Sequence, residues 1–333
     1  MAKNNTTLII RLSSLGDVAM TIPVVYSVAQ RYPADEFVLL TKKPFQNIFI
    51  NKPTNLVVIG IDTKQDSLRT VIANLTRHPL TKVADLHSVL RSWLIDFYLR
   101  LQGKKVAVIN KGKWEKKKLT RCKYKQFKQL ATSTERYQKV FEALGYDASL
   151  NFTTLIPHKN VHSETWIGIA PFAKHAGKIY PLEQMETVVN QLDKSPNTKL
   201  FLFGGKEDAP VLKGLAEKYA NVKSVAGQLS FPEELALMND LNVMVSMDSA
   251  NMHLASLVNT PVVSVWGATH PYAGFYGYNQ HPENAIQANL PCRPCSVFGN
   301  KPCKRGDYAC LKDISPEQIW HRVSVFLNKS CLF

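Results

Sequence analysis

The sequence predicts an α/β protein built from two Rossmann-like, doubly wound domains. Three observations carry that expectation. At 333 residues the chain is long enough for two domains of roughly 150 residues, each able to bury its own core. Short β-branched runs alternate with amphipathic stretches, the pattern of parallel strands joined by crossover helices. The pattern then restarts after Pro157, so domains spanning 1–158 and 163–333 are expected around a linker near 157–164. Hydrophobic residues at 45% and charged residues at 20% exclude disordered and fibrous classes. No apolar run approaches the ~20 residues of a membrane span. The opening MAKNNTTLIIRL lacks the apolar segment of a signal peptide, so a cytoplasmic protein is expected.

The elements follow in order. Residues 6–12 (TTLIIRL) read as a buried strand. Residues 17–30 read as one helix, with Val18, Ile22, Val25 and Ala29 on a common face. Further strands are expected at 37–40, 56–59, 82–86 and 106–109, and helices near 66–77, 89–101 and 134–145. In the second half, strands are expected at 166–170, 199–203, 222–225, 242–247 and 262–266. Helices are expected from about 182 and about 209, and near 231–239 and 250–258. Residues 270–312, rich in Pro, Gly, Cys and aromatics, read as an irregular excursion that includes a cysteine-rich loop at 290–312. A final helix is expected at 316–329.

Three strand-end segments carry chemistry. In Arg11-Leu-Ser-Ser-Leu-Gly-Asp-Val18, Asp17 sits near a helix start. It reads either as a cap or as a general base at a ligand crevice. The loop lacks the G-x-G-x-x-G and Gly-Lys-Ser/Thr fingerprints, which weakens NAD and P-loop readings. In 168–182 (GIAPFAKHAGKIYPL), Lys174, His175 and Lys178 cluster before a helix. They form either a phosphate site or a solvated basic loop. In 245–255 (VSMDSANMHLA), Asp248 and Ser249 stand where a strand gives way to a helix, with His253 one turn along. That junction reads as a diphosphate cradle or as an ordinary N-cap with a core histidine.

At these segments the chain resembles the glycosyltransferase family 9 heptosyltransferases of lipopolysaccharide core synthesis. RLSSLGDVAMTIP, GKIYP and DSANMHLA carry the resemblance in combination, and Asp85-Leu86-His87 with Leu90-Arg91-Ser92 adds to it. The resemblance covers nearly the whole chain in order. It implies a GT-B architecture of two Rossmann-like domains facing across a cleft, with acceptor bound by 1–158 and nucleotide-sugar donor by 163–333. It further implies inverting, metal-independent transfer of heptose from ADP-heptose, with no cofactor required. Carried over by position, Asp17 and Lys178 are the catalytic pair, as base and as diphosphate-neutralising cation. Lys174, Lys178, Glu207, Leu229, Asp248, Ser249, Ala250 and His253 are donor-binding. Glu207 matches a ribose contact and Leu229 a position packing on the adenine. Arg11, Ser14, His87, Arg91, Lys111, Lys113 and Arg121 are the acceptor-binding candidates. Two departures from the family pattern, Ala173-Lys174 near the phosphates and Ala250 in place of Gly, bear on which donor is used more than on the reaction class.

The net charge of +15 is unevenly spread: residues 1–150 hold 25 Lys and Arg against 11 Asp and Glu. Nine basic residues and one acid fall within 110–128, interleaved with Trp114, Tyr124 and Phe127. Such a field suits an anionic partner. With the resemblance, it implies a lipid-linked anionic saccharide at the cytoplasmic face of the inner membrane, and peripheral membrane contact through 111–128. Aromatics among basic residues also suit single-stranded nucleic acid. No RRM or KH signature is present, and no nucleic-acid partner is expected. Cys292, Cys295, Cys303 and Cys310 have the ligand count of a structural zinc site; free thiols and disulfides are the alternatives. Two rival functions stay open: the same fold using another nucleotide sugar, and a basic nucleic-acid-binding protein with a zinc knuckle.

Overall fold

The computed structural model describes residues 5–327. The chain divides into two compact units. The first comprises residues up to Lys111 together with Ala131–Leu155; the second comprises Gly112–Leu130 and the chain from Ile156 onward.

The first unit opens with β1 (Thr6–Ile10), then α1 (Leu15–Ala19) and α2 (Ile22–Arg31), β2 (Glu36–Lys42), β3 (Leu56–Ile61), α3 (Leu68–Leu75), β4 (Lys82–Asp85), α4 (Leu90–Leu101) and β5 (Lys105–Val108). The chain then gives α5 (Lys113–Leu119) to the second unit and returns with α6 (Ser133–Ala143). The sheet order is β3-β2-β1-β4-β5 and every pairing is parallel. Parallel strands covered on both faces need continuous apolar runs. All of β1 is buried, and Leu8, Ile10, Val38, Leu40 and Val83 share one core with Ile95 and Leu99 of α4.

The expected single helix over 17–30 is two. Pro23 stands in the first turn of α2, where its missing N–H costs least, and Thr21 Oγ1 donates to Val18 O at 2.7 Å as α1 ends. The basic run also contains a helix, α5, that the charge count hid. Its Leu119 is buried with Leu130 and Ala273, and Lys116 Nζ lies 4.0 Å from the Phe275 ring centre. Segment 112–130 therefore packs on the second unit.

The second unit continues with β6 (Thr165–Ala170), α7 (Leu182–Asp193), β7 (Thr198–Leu202), α8 (Ala209–Ala216), β8 (Val222–Ser224), α9 (Phe231–Asp240), β9 (Val243–Met247), α10 (Ala250–Leu257), β10 (Val262–Trp266), β11 (Ala285–Gln287), α11 (Ala309–Lys312) and α12 (Pro316–Leu327). The last two residues of the expected helix 316–329 lie outside the described residues. The order is β11-β10-β9-β6-β7-β8, again all parallel. Short β11 was hidden in the irregular excursion. Among the described residues no helix is long and apolar enough to cross a membrane.

Strand order reverses between β1 and β4 in the first sheet and between β6 and β9 in the second. In open α/β sheets ligands bind outside the carboxyl ends of strands at such switch points. The three chemical segments leave β1, β6 and β9 at those ends.

Candidate active site

In the first unit, the turn after β1 brings Arg11, Ser14 and Asp17 together. Arg11 Nη2 lies 2.8 Å from Asp17 Oδ2, with Arg11 7% and Asp17 26% exposed at the side chain. Ser14 donates its backbone N–H (3.1 Å) and its hydroxyl (2.8 Å) to the same oxygen. Asp17 thus caps α1 and is ion-paired as well. The Ser13–Ser14 peptide is cis. Arg11 Nη1 donates to Leu86 O at 2.6 Å, which ties the end of β1 to the end of β4. Burial works against the charge of this guanidinium, yet Tyr137 and Asp17 outweigh it and hold the group above its ordinary pKa. Tyr137, fully buried, also donates to Asp17 O at 3.3 Å.

After β4, Asp85 is wholly buried. It accepts from the N–H groups of His87 (2.7 Å) and Ser88 (2.8 Å), and from Ser92 Oγ (2.8 Å) at the start of α4. It therefore shapes the loop that carries His87. His87 Nε2 lies 3.4 Å from Ser13 Oγ. Burial, then Arg11 and Lys111, push the imidazole down to about 4, so the ring is neutral at neutral pH. Lys111 donates to Ser88 O at 3.3 Å. Arg91 turns to Asp66 O at 2.8 Å. The acceptor candidates accordingly split. Arg11, Ser14, His87, Arg91 and Lys111 lie in the first unit, whereas Lys113 and Arg121 are exposed on the segment that packs with the second.

In the second unit, Lys178 Nζ lies 2.8 Å from Asp248 Oδ2, the lysine 16% and the aspartate 5% exposed. This pair joins the segment after β6 to the segment after β9. Lys178 ends a single 3-10 turn, 176–178, whose backbone is pinned: Gly177 N donates to Gly299 O, and Gly177 O accepts from Ala268 N at 2.8 Å. Glycine is required here. A Cβ on Gly177 would stand 2.7 Å from Gly299 O, one on Gly267 would stand 2.6 Å from Gly177 O, and Gly299 has φ +73°. Ser249 precedes α10 in extended conformation, its Oγ 3.2 Å from that of Ser246, so the N–H groups at the helix start are not capped by Ser249 itself. Ala250 is the first residue of α10, and His253 is buried one turn later. Glu207 and Lys174 are exposed. Leu229 is half-buried just before Ser230, which precedes α9.

Sequence reasoning missed three contributors. Asp85 was noted only as part of a motif. Gly299 lies in the stretch read as irregular. Arg293, also there, is buried and donates to the carbonyls of Gly267 (2.6 Å), Ala288 (2.6 Å), Trp266 (2.9 Å) and Thr269 (3.0 Å). It staples the cysteine-rich loop to the end of β10. A buried arginine satisfied by main-chain oxygens leaves no signal in side-chain spacing.

Cys122, Cys292, Cys295, Cys303 and Cys310 are free thiols that line one pocket. They sit at different depths, from exposed Cys122 and Cys292 to buried Cys310, whose thiol burial pushes up to about 11. Among the described residues no three His, Cys, Asp or Glu are arranged to hold a metal ion.

The profile of glycosyltransferase family 9 (heptosyltransferase) matches residues 84–304. The chain belongs to this family. It is therefore a glycosyltransferase, as the strand-end motifs led us to expect. Lipopolysaccharide heptosyltransferase 3 of Escherichia coli is 23% identical over 276 residues, covering 76% of this chain and 81% of that protein. A family 9 glycosyl transferase from Veillonella parvula matches with a TM-score of 0.76 at 18% identity, over 99% of both chains. The E. coli heptosyltransferase WaaC, solved with ADP, matches at 0.69 and 16% identity, over 96% of this chain and 99% of that one. The fold class is the expected one, GT-B, with two Rossmann-like units.

Proposed function

We propose that this family 9 enzyme transfers heptose from ADP-heptose to a lipid-linked, anionic inner-core saccharide of lipopolysaccharide, with inversion and without a catalytic metal. The observation that supports this most is the pair of switch points. Each holds an ion pair, Arg11–Asp17 or Lys178–Asp248, made of residues that the family resemblance singles out.

The donor belongs to the second unit. Lys178, held by Asp248, faces the diphosphate together with Lys174 and the N–H groups at Ser249 and Ala250, where a helix start favours anions. Glu207 and Leu229 serve the ribose and the adenine, and His253 backs the phosphate loop. The acceptor belongs to the first unit, with Arg11, Ser14, His87, Arg91 and Lys111 as its contacts. Lys113 and Arg121 add to the field that draws an anionic acceptor.

In the reaction the acceptor hydroxyl oxygen bonds to the anomeric carbon as the bond from that carbon to the diphosphate oxygen breaks. The hydroxyl proton passes to the Asp17 carboxylate. The electron pair leaves with ADP, whose developing charge Lys178 offsets. Attack opposite the leaving group inverts the centre. Segment 111–128 supplies electrostatic contact with the anionic inner-membrane surface, worth ~1 kcal/mol per basic side chain near the bilayer.

The test is turnover of ADP-heptose with a Kdo-bearing lipid acceptor, the product read by mass spectrometry, beside UDP- and GDP-sugars. Heptosylated lipid formed only from the ADP donor supports the reading. Product from a UDP or GDP sugar alone would replace the donor and keep the reaction class.

A further inference from the structure

Helix α4 is apolar on two opposite faces. Its inner face carries Ile95 and Leu99 into the core of the first unit. At 100° per residue its outer face gathers Leu90, Trp93, Leu94, Phe97 and Leu101 into an arc of about 100°. These side chains are exposed, Leu90 by 70%, Phe97 by 64% and Leu101 by 73%. A helix apolar all round is ordinarily buried in protein or lipid. Twelve residues span only ~18 Å, too short to cross a bilayer.

The surroundings select the occupant. Between His87 and Lys113 the only acid is Asp96, and it is buried on the inner face. Arg100 and Lys105 are exposed beside the stripe, and Lys104 lies between them in sequence. Trp93 and Tyr98 add the amphipathic rings that favour a membrane–water interface. A second copy of the chain is disfavoured, because it would bring together two faces of a region holding 25 basic and 11 acidic residues. We propose that the outer face of α4 docks on an anionic bilayer, lying in the interface plane with Trp93, Leu94, Phe97 and Leu101 in the headgroup–acyl boundary. The helix is well built for that load: Asp85 fixes its first turn through Ser92, and its inner face is locked in the core.

The purpose of this surface rests on the reading of a lipid-linked acceptor, but the two can fail separately. The test is flotation of the full chain with vesicles of phosphatidylethanolamine and phosphatidylglycerol, against phosphatidylcholine alone. The triple variant Trp93→Gln, Phe97→Gln, Leu101→Gln alters only exposed side chains, and its fold is checked by circular dichroism and ADP titration. The expected result is binding to the anionic vesicles that falls at least about tenfold in the triple variant, with ADP affinity unchanged. Arg100→Gln, Lys104→Gln, Lys105→Gln should lower binding severalfold and remove part of its salt dependence. Equal vesicle binding by the parent and the triple variant would overturn the proposal. So would absent vesicle binding, and a dimer in gel filtration that the triple variant dissociates would then assign the face to a second copy. Vesicle binding that behaves as expected in a protein that binds no ADP would leave the docking face standing and overturn the donor reading instead.

Discussion

The two switch points are built from the same part in opposite sense. Each holds one acid and one base 2.8 Å apart, joining the ends of the two strands where sheet order reverses or the turn beside them. In the first unit the base is the buried partner: Arg11 is 7% exposed and Asp17 26%. In the second the acid is buried: Asp248 is 5% exposed and Lys178 16%. The buried member fixes position, and the more exposed member is the one that the proposed function sets against substrate. A carboxylate is thus presented at one site and an ammonium at the other, which are the two groups that proton removal and diphosphate departure require.

Asp17→Asn should have the largest effect. It keeps the size of the cap and removes the base, so kcat should fall by about 10²–10⁴, as measured by product formation under saturating donor. A loss below tenfold would leave Asp17 as a helix cap. Lys178→Ala should follow, with kcat lower by about 10²–10³. A donor bearing a better leaving group should recover part of that loss but none of the Asp17→Asn loss, which sharpens the division of labour.

Acid stability probes His87 of the first site, once the share of His270 is set apart. The unfolded His87 titrates near 6.5, whereas the folded ring, pushed down to about 4, stays neutral. Below 6.5 the unfolded chain therefore binds the extra proton, and stability is lost as pH falls toward 4, by on the order of 2–3 kcal/mol. His87→Gln should remove that share of the slope in urea unfolding. His270, also pushed down to about 4, keeps its own share. An unchanged slope would mean that His87 is open to solvent. The smallest effect belongs to Gly299→Ala. At φ +73°, with a Cβ placed 2.6 Å from Lys178 Cγ, it should cost about 1 kcal/mol in stability and weaken ADP binding a few-fold in calorimetry.

Much of this was legible in the amino-acid order. The alternation of buried strands and amphipathic helices marked every strand of the two sheets except short β11, because parallel strands covered on both faces must be apolar along their length. The strand-end motifs pointed to the segments that carry Asp17, Lys178 and Asp248, and these segments leave the strands at the switch points. What stayed hidden depends on partners distant in sequence. The helical break after Ala19 needed the roles of Thr21 and Pro23. The basic run reads as a field for an anionic partner, and the helix within it shows only through distant partners, Lys116 lying over Phe275 and Leu119 packing with Ala273. Arg293 pairs with main-chain oxygens, and no residue type announces those. The outer stripe of α4 needed the inner one to be placed first, since an apolar helix alone does not say which face the core takes.

The comparison of the two pairs is tested most directly by calorimetric titration of ADP into the parent, Asp17→Asn and Lys178→Ala proteins. Asp17→Asn should bind ADP like the parent, and Lys178→Ala should bind it at least about tenfold more weakly. Equal weakening in both variants, or full affinity in Lys178→Ala, would contradict the assignment of base to the first unit and diphosphate to the second.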